Sequence, residues 1–197
     1  MSNFLFKDRD GQTPLPSELQ SGLKFKHIQN MGELDEYEEK NIAEGLAWLE
    51  SCNEEYGTYN FWRKLHKKLF GDVWTWAGEI RDHELANPYF YKPHQIWPSF
   101  KKLEDDLKYW LDKKEIPFQE ISARFHEKIE TIHPFANGNG RVGRMLMNKI
   151  LISHDMVPVT IFAENRRAYF NAIEKSIDGS FLPIYSFILG QYVKTLQ

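Results

Sequence analysis

A run of twelve residues, HPFANGNGRVGR from His133 to Arg144, separates two apolar helical patterns and dictates how the chain passes between them. Upstream, Phe118, Ile121, Phe125, Ile129 and Ile132 recur at helical spacing, and downstream Val142, Met145, Leu146 and Ile150 do the same. Pro134 disfavours helical geometry at His133, so the first helix ends there. Asn137-Gly138 and Asn139-Gly140 then read as a tight turn that tolerates positive φ. The expectation is a buried helix, a glycine-rich loop and a second buried helix whose first backbone N–H groups form an anion site. Arg141 and Arg144 lie three apart and share a face beside that anion. A histidine, a backbone nest and two guanidinium groups in one place suit phosphate chemistry.

The stretch resembles the signature of the Fic (Fido) family, HPFx(D/E)GNGRxxR. His133, Pro134, Phe135, Gly138, Asn139, Gly140, Arg141 and Arg144 match it, whereas Asn137 stands where the family carries Asp or Glu. LHKKLFGDVWTWAGEIR, Leu65 to Arg81, resembles the family's helix and the entry to its β-hairpin flap, and NRRAYFNAI, Asn165 to Ile173, the helix after the motif helix. GQTPL, LDEYEEKNI and PHQI are similar to segments of a small bacterial branch called mobile mystery protein B.

The resemblance implies an all-α, Fic-type helical bundle with a small β-hairpin flap. It implies transfer of AMP from ATP to a Ser, Thr or Tyr hydroxyl of a target protein. His133 would take the hydroxyl proton, since an imidazole titrates near ~6.5. Gly138, Asn139 and Gly140 would hold the α-phosphate. Arg141 and Arg144 would clamp the outer phosphates. The family's acidic residue holds Mg²⁺, so Asn137 offers a neutral, weaker oxygen. A flap at Asp82 to Pro93 would pair with the target backbone, with Phe90 and Tyr91 as target or nucleotide contacts. Tyr169 matches a position near the adenine, although a tyrosine at helical spacing also reads as core. Two alternatives stay open beside AMP transfer: a non-catalytic nucleotide-binding or interaction protein, and a relative that transfers another phosphate-linked group. An antitoxin-like partner belongs to the same expectation.

Composition bounds the rest. The 197 residues read as one domain, with an arm over residues 1–26 and a core over 60–195. An aromatic share of 15% points to a bulky core, and a net charge of −3 without basic runs argues against non-specific nucleic-acid binding. The single cysteine, Cys52, excludes an internal disulfide and fits a reducing cytoplasm. No signal peptide and no membrane-spanning apolar run is evident. Helices are expected from Leu34 to Ser51, Phe61 to Phe70, Pro98 to Asp112, Glu164 to Ser176 and Pro183 to Leu196, with a hairpin across Trp74 to Trp97. Trp62, Trp74 and Trp76 read as core, His66 and His126 as packed or surface histidines, and Glu127 and Glu130 as solvated helix charges. His126 and His133 are seven apart with no third ligand, which argues against zinc. Glu44-Gly45 fits the end of the family's inhibitory (S/T)xxxE(G/N) helix, but Lys40 replaces its hydroxyl residue, so Glu44 reads as a solvated acid.

Overall fold

The computed structural model describes residues 21–177 and 180–195; the GQTPL segment and most of the expected arm lie outside them. Among the described residues there are seven α-helices: α1 Met31–Ser51, α2 Tyr59–Phe70, α3 Pro93–Lys113, α4 Phe118–Ile132, α5 Asn139–Ile152, α6 Arg166–Ile177 and α7 Leu182–Thr195. A single 3₁₀ turn, Ala163–Asn165, leads into α6. The all-α architecture is therefore as expected. The hairpin is not: among the described residues the single isolated bridge pairs Leu23 with Trp74, and residues 82–92 form no strand.

The chain divides into two compact units, Met1–Glu55 with Asn60–Glu79, and Tyr56–Tyr59 with Ile80–Gln197. In the first, α1 starts at Asn30, whose side chain accepts from the Glu33 N–H at 2.9 Å, while Glu33 accepts from Gln29 N at 2.9 Å. This reciprocal cap sets the start three residues before the apolar pattern alone would. A Cβ on Gly45 would lie 2.8 Å from the Lys68 carbonyl, so α1 and α2 meet at a point only glycine allows. Asn41 ties the same crossing by donating to Lys68 O at 3.0 Å and accepting from Asp72 N at 2.9 Å. Trp62 and Trp74 are fully buried, and Trp76, half-buried, stacks on Trp74. His66 is a packed histidine whose Nδ1 accepts from Gly78 N at 2.7 Å.

In the second unit α4 is the central helix and packs against α3, α5, α6 and α7. It is buried nearly all round, which is why its polar residues go inside with it. Helix α3 begins at Pro93, five residues before the expected start at Pro98. Pro93 supplies a ready helical φ at the first position, and Gln95 reaches back to accept from Lys92 N at 2.8 Å. Pro98 then sits inside the helix on its exposed face, where water serves the carbonyl that loses its partner. Ala123, Met147, Leu151, Tyr169, Ile173, Ile184 and Ile188 form a core shared by α4 to α7.

Candidate active site

The floor of the site is the turn between α4 and α5. His133 closes α4 in left-handed geometry, φ 46° and ψ 60°, with its N–H bonded to Ile129 O at 2.9 Å. Gly138, at φ 81°, is the cap from which α5 starts at Asn139. The second Asn-Gly pair is thus the first helical turn, not part of a tight turn. Asn139 earns its place with its side chain: Oδ1 accepts from Phe135 N at 2.9 Å and Nδ2 donates to Phe135 O at 2.8 Å. Phe135 is fully buried against Phe100, which anchors the loop in the core.

The first bond of α5 runs from Val142 N to Gly138 O at 3.0 Å. The N–H groups of Asn139 and Gly140 belong to the first turn and have no helical carbonyl to meet. The Gly138 N–H is used differently: it donates to Asn137 Oδ1 at 2.6 Å. Asn137 itself is exposed.

The His133 ring is held at its Nδ1 edge and on one face. Its Nδ1 lies 3.2 Å from Glu130 O, a carbonyl that can only accept, so Nδ1 carries the proton and Nε2 keeps a lone pair. Phe90 stacks on the imidazole with ring centroids 3.7 Å apart and planes 10° from parallel. Burial, the main cause, lowers the His133 pKa to about 4; the nearby Arg81 charge adds to this and the Glu130 carbonyl opposes it. The ring is therefore neutral at physiological pH.

Arg81 was not singled out in the sequence, yet it organises this side of the site. Arg81 is 5% exposed, and its guanidinium donates through Nε to His133 O at 2.7 Å, through Nη1 to His83 O at 2.7 Å, and through Nη2 to Tyr91 O and, at 3.5 Å, to Ile132 O. Its backbone N–H donates to Pro134 O at 3.0 Å, and Tyr91 N to Thr131 O at 3.3 Å. These bonds explain the missing hairpin. The backbone at both ends of 82–91 is bonded to the α4 terminus, and Pro88 adds a position without a donor. A cation at a helix C-terminus also meets the negative end of the helix dipole.

Beneath the second motif arginine lies a buried polar cluster. Arg144 Nη1 donates to the Tyr169 hydroxyl at 3.3 Å, and the Arg144 guanidinium sits 5.6 Å from the Tyr169 ring centre. Tyr169 OH lies 2.9 Å from His126 Nε2. With Arg144 donating to it, Tyr169 turns its own proton to Nε2, which leaves the His126 proton on Nδ1. That atom faces Glu130 Oε1 at 3.9 Å, and neither has a hydrogen-bond partner. Burial pushes the Glu130 carboxyl up to about 7, opposed by Arg144. Burial, helped by Arg144, lowers His126 to about 3, and burial also raises the Tyr169 hydroxyl.

Glu127 and Glu130 are hence not solvated charges: both are buried, and Glu127 accepts from Thr131 Oγ1 at 2.7 Å. The clue to Glu130 lay on the facing helix. A Cβ on Gly143 would come 2.7 Å from His126 Nδ1 and 3.2 Å from Glu130 Oε1, and one on Gly140 within 3.3 Å of Glu130 Oε1. Glycines three apart mark the face of α5 against which bulky polar groups of α4 pack. The structure thus brings Phe90 to His133 and Tyr169 to Arg144; Tyr91 is tied through its backbone and its side chain is half-buried.

A family profile described as Fic/DOC matches residues 56–151. Over 198 residues the chain is 36% identical to a protein adenylyltransferase Fic of Culex quinquefasciatus, covering 95% of this chain and 39% of the relative. It is 33% identical over 140 residues to the protein of that name from Aedes aegypti, covering 68% of this chain and 27% of the relative. The chain spans less than two fifths of the length of either. Among solved structures, the Bartonella tribocorum effector BepC with bound AMPPNP superposes with a TM-score of 0.72, 22% identity and 96% coverage of both chains. A Bartonella quintana effector Fic domain with bound ADP gives 0.68 and 23%, covering 84% of this chain and 87% of that one. At such identities the likeness concerns the fold.

Proposed function

Residues 56–151 of this chain match the Fic/DOC family, and from that premise we propose that the protein transfers AMP from ATP to a hydroxyl side chain of a target protein. The observation that carries the reading is His133, a neutral imidazole whose Nδ1 is bound to a backbone carbonyl and whose Nε2 is left as acceptor. The target oxygen attacks the α-phosphorus as its proton passes to Nε2. A new P–O bond forms, and the bond to the β-phosphate breaks with pyrophosphate leaving. The first-turn N–H groups of Asn139 and Gly140, with Gly138 as cap, hold the α-phosphate and the charge developing on it. Arg141 and Arg144 clamp the outer phosphates, where the fork of a guanidinium suits paired oxygens. The relatives named protein adenylyltransferase and the neighbours with bound AMPPNP and ADP support this choice of nucleotide.

The reading includes a divalent cation only as one that arrives with the nucleotide. No group of three or more His, Cys, Asp or Glu among the described residues could hold an ion, and Asn137 Oδ1 accepts from Gly138 N. These residues fit a phosphate-borne Mg²⁺ touched by one neutral oxygen, and not a resident one. When bound, the ion would neutralise phosphate charge. No helix of the described residues is long and apolar enough to cross a membrane, and buried Cys52 suits the reducing cytoplasm in which we place the reaction. Branch membership rests on the GQTPL, LDEYEEKNI and PHQI segments alone.

His133→Ala is expected to lower transfer of labelled AMP by about 10²–10⁴-fold while calorimetric ATP affinity stays within about twofold. Transfer by the variant at the wild-type rate would remove His133 as the base.

A further inference from the structure

The strap at residues 82–92 does more at this site than cover it. Phe90 lies flat on the His133 imidazole, centroids 3.7 Å apart at 10°. A face-to-face contact leaves the ring edges open, and the proton acceptor of an imidazole lies on its edge. The Nδ1 bond to Glu130 O fixes one point of the ring, which alone permits the plane to tilt about that point. A parallel ring on its face removes the tilt.

The strap itself is built to keep Phe90 there. Asn87 Oδ1 accepts from Tyr89 N at 3.0 Å, and Phe90 N donates to Asn87 O at 3.3 Å, so a turn presents the ring. The next residue is pinned through Tyr91 N to Thr131 O and through Tyr91 O to the buried Arg81 guanidinium. That guanidinium also holds the carbonyl of His133. The carrier of the aromatic ring and the carrier of the imidazole are thereby tied to one cation.

We propose that Phe90 is the positioning residue of the base: its ring, held by the Arg81 tie, fixes the plane of the His133 imidazole so that Nε2 meets the attacking hydroxyl in line. The proposal rests on the reading of His133 as general base. It assigns Phe90 a role in the turnover step itself, separate from any grip on the target. It also explains why the strap's last backbone N–H, at Tyr91, is bonded to the α4 carbonyl of Thr131.

The test uses the full chain with Phe90→Ala, Phe90→Leu and Phe90→Tyr. The side-chain NMR signals of His133 are followed against pH, alongside kcat and KM for AMP transfer and calorimetric ATP affinity. In Phe90→Ala the His133 titration is expected to move from about 4 toward the ordinary 6.5 as the ring face is rewetted, and the acid limb of the kcat profile with it. The kcat should fall on the order of 10²-fold, the scale of a small misplacement of a reacting group. ATP affinity should stay within twofold. Phe90→Tyr should restore both readouts, whereas Phe90→Leu, apolar but not flat, should restore the titration more than the rate.

A Phe90→Ala protein with unchanged His133 titration and kcat, or with a raised KM alone, would overturn the proposal and leave Phe90 a target contact. If His133→Ala abolishes transfer while the Phe90 variants are silent, the base reading stands and only this inference falls. If His133→Ala retains transfer, both fall.

Discussion

The floor of the site and the strap over it solve the same problem, holding a short non-helical segment still, by opposite means. In the floor, Asn139 binds both the N–H and the C=O of Phe135, and the Phe135 ring enters the core. From Phe135 onward neutral hydrogen bonds and apolar burial do the holding, while His133, where the turn begins, is also tied to the Arg81 guanidinium. The strap has little buried apolar anchor: Tyr89 is exposed, Phe90 is half-buried on the His133 ring, and the segment is held by the Tyr91 N–H bond to Thr131 O and by one buried arginine that donates to its His83 and Tyr91 carbonyls. A segment held by burial fails with the fold, whereas one held by a few polar ties can open without it. The expectation is that the turn that would bind phosphate opens only with the whole fold, and that the strap opens at lower cost.

The comparison breaks most sharply at Asn139. Asn139→Ala leaves two buried backbone groups without partners, at a cost of about 3 kcal/mol. For a domain of this size that is a fall of about 6–12 °C in melting temperature, with nucleotide affinity lost alongside. Arg81→Lys should instead cost about 1–2 kcal/mol, since one ammonium cannot reach four carbonyls, and its effect should be local. Hydrogen exchange is expected to speed up over residues 82–92 while α5 keeps its protection. Equal loss of protection in both segments would show that strap and floor unfold together.

The same contrast accounts for what could be read beforehand. The floor was legible because Pro134, Gly138 and the apolar repeats on both sides are local signals. Its first end, at His133, is where the pattern puts it, whereas its second comes earlier than expected because Asn139-Gly140 is already helix. The strap was misread as a hairpin because proline, glycine and aromatic density marks irregular chain without saying where its backbone bonds go. Those bonds go to Thr131 and Pro134, far along the sequence. The start of α3 was missed for a smaller reason: Pro98 looked like a first-turn proline, while Pro93 and Gln95 formed the real start. His126 and Glu130 carry no local mark of burial, because the space they fill is made by glycines on α5.

A subtler test concerns that buried cluster. The Glu130 carboxyl is raised to about 7 from an ordinary 4.5, so the fold favours its neutral form. Its contribution to stability is full below pH 4.5 and is lost as pH rises through about 7. His126 and His133, lowered to about 3 and about 4, act in the opposite sense. Their contributions are full above about 6.5 and are lost as pH falls toward those values. Between pH 4.5 and 6.5 the glutamate therefore partly cancels the histidines. Glu130→Gln should make stability rise more steeply with pH across that window and remove the decline toward pH 7. Denaturant midpoints at half-unit pH steps would show it; parallel curves for the two proteins would mean that Glu130 titrates normally.

The smallest expected effect falls on Asn137, the exposed edge of the floor, and its sign depends on conditions. Asn137→Asp keeps the shape and the bond from Gly138 N, and puts a negative charge at the N-terminus of α5. That placement should add about 0.5 kcal/mol to stability. Without a divalent cation the new carboxylate faces the nucleotide's phosphates and repels them, so ATP affinity should fall. With Mg²⁺ it becomes a charged oxygen ligand, and affinity should rise on the order of tenfold, or about 1.4 kcal/mol. Calorimetric ATP titrations of both proteins, with chelator and with Mg²⁺, would therefore give curves that cross. Crossing identifies residue 137 as the point where the loop meets a phosphate-borne ion. Affinities that move together in both conditions would place the ion elsewhere, and Asn137 would then be only the residue that closes the loop onto Gly138.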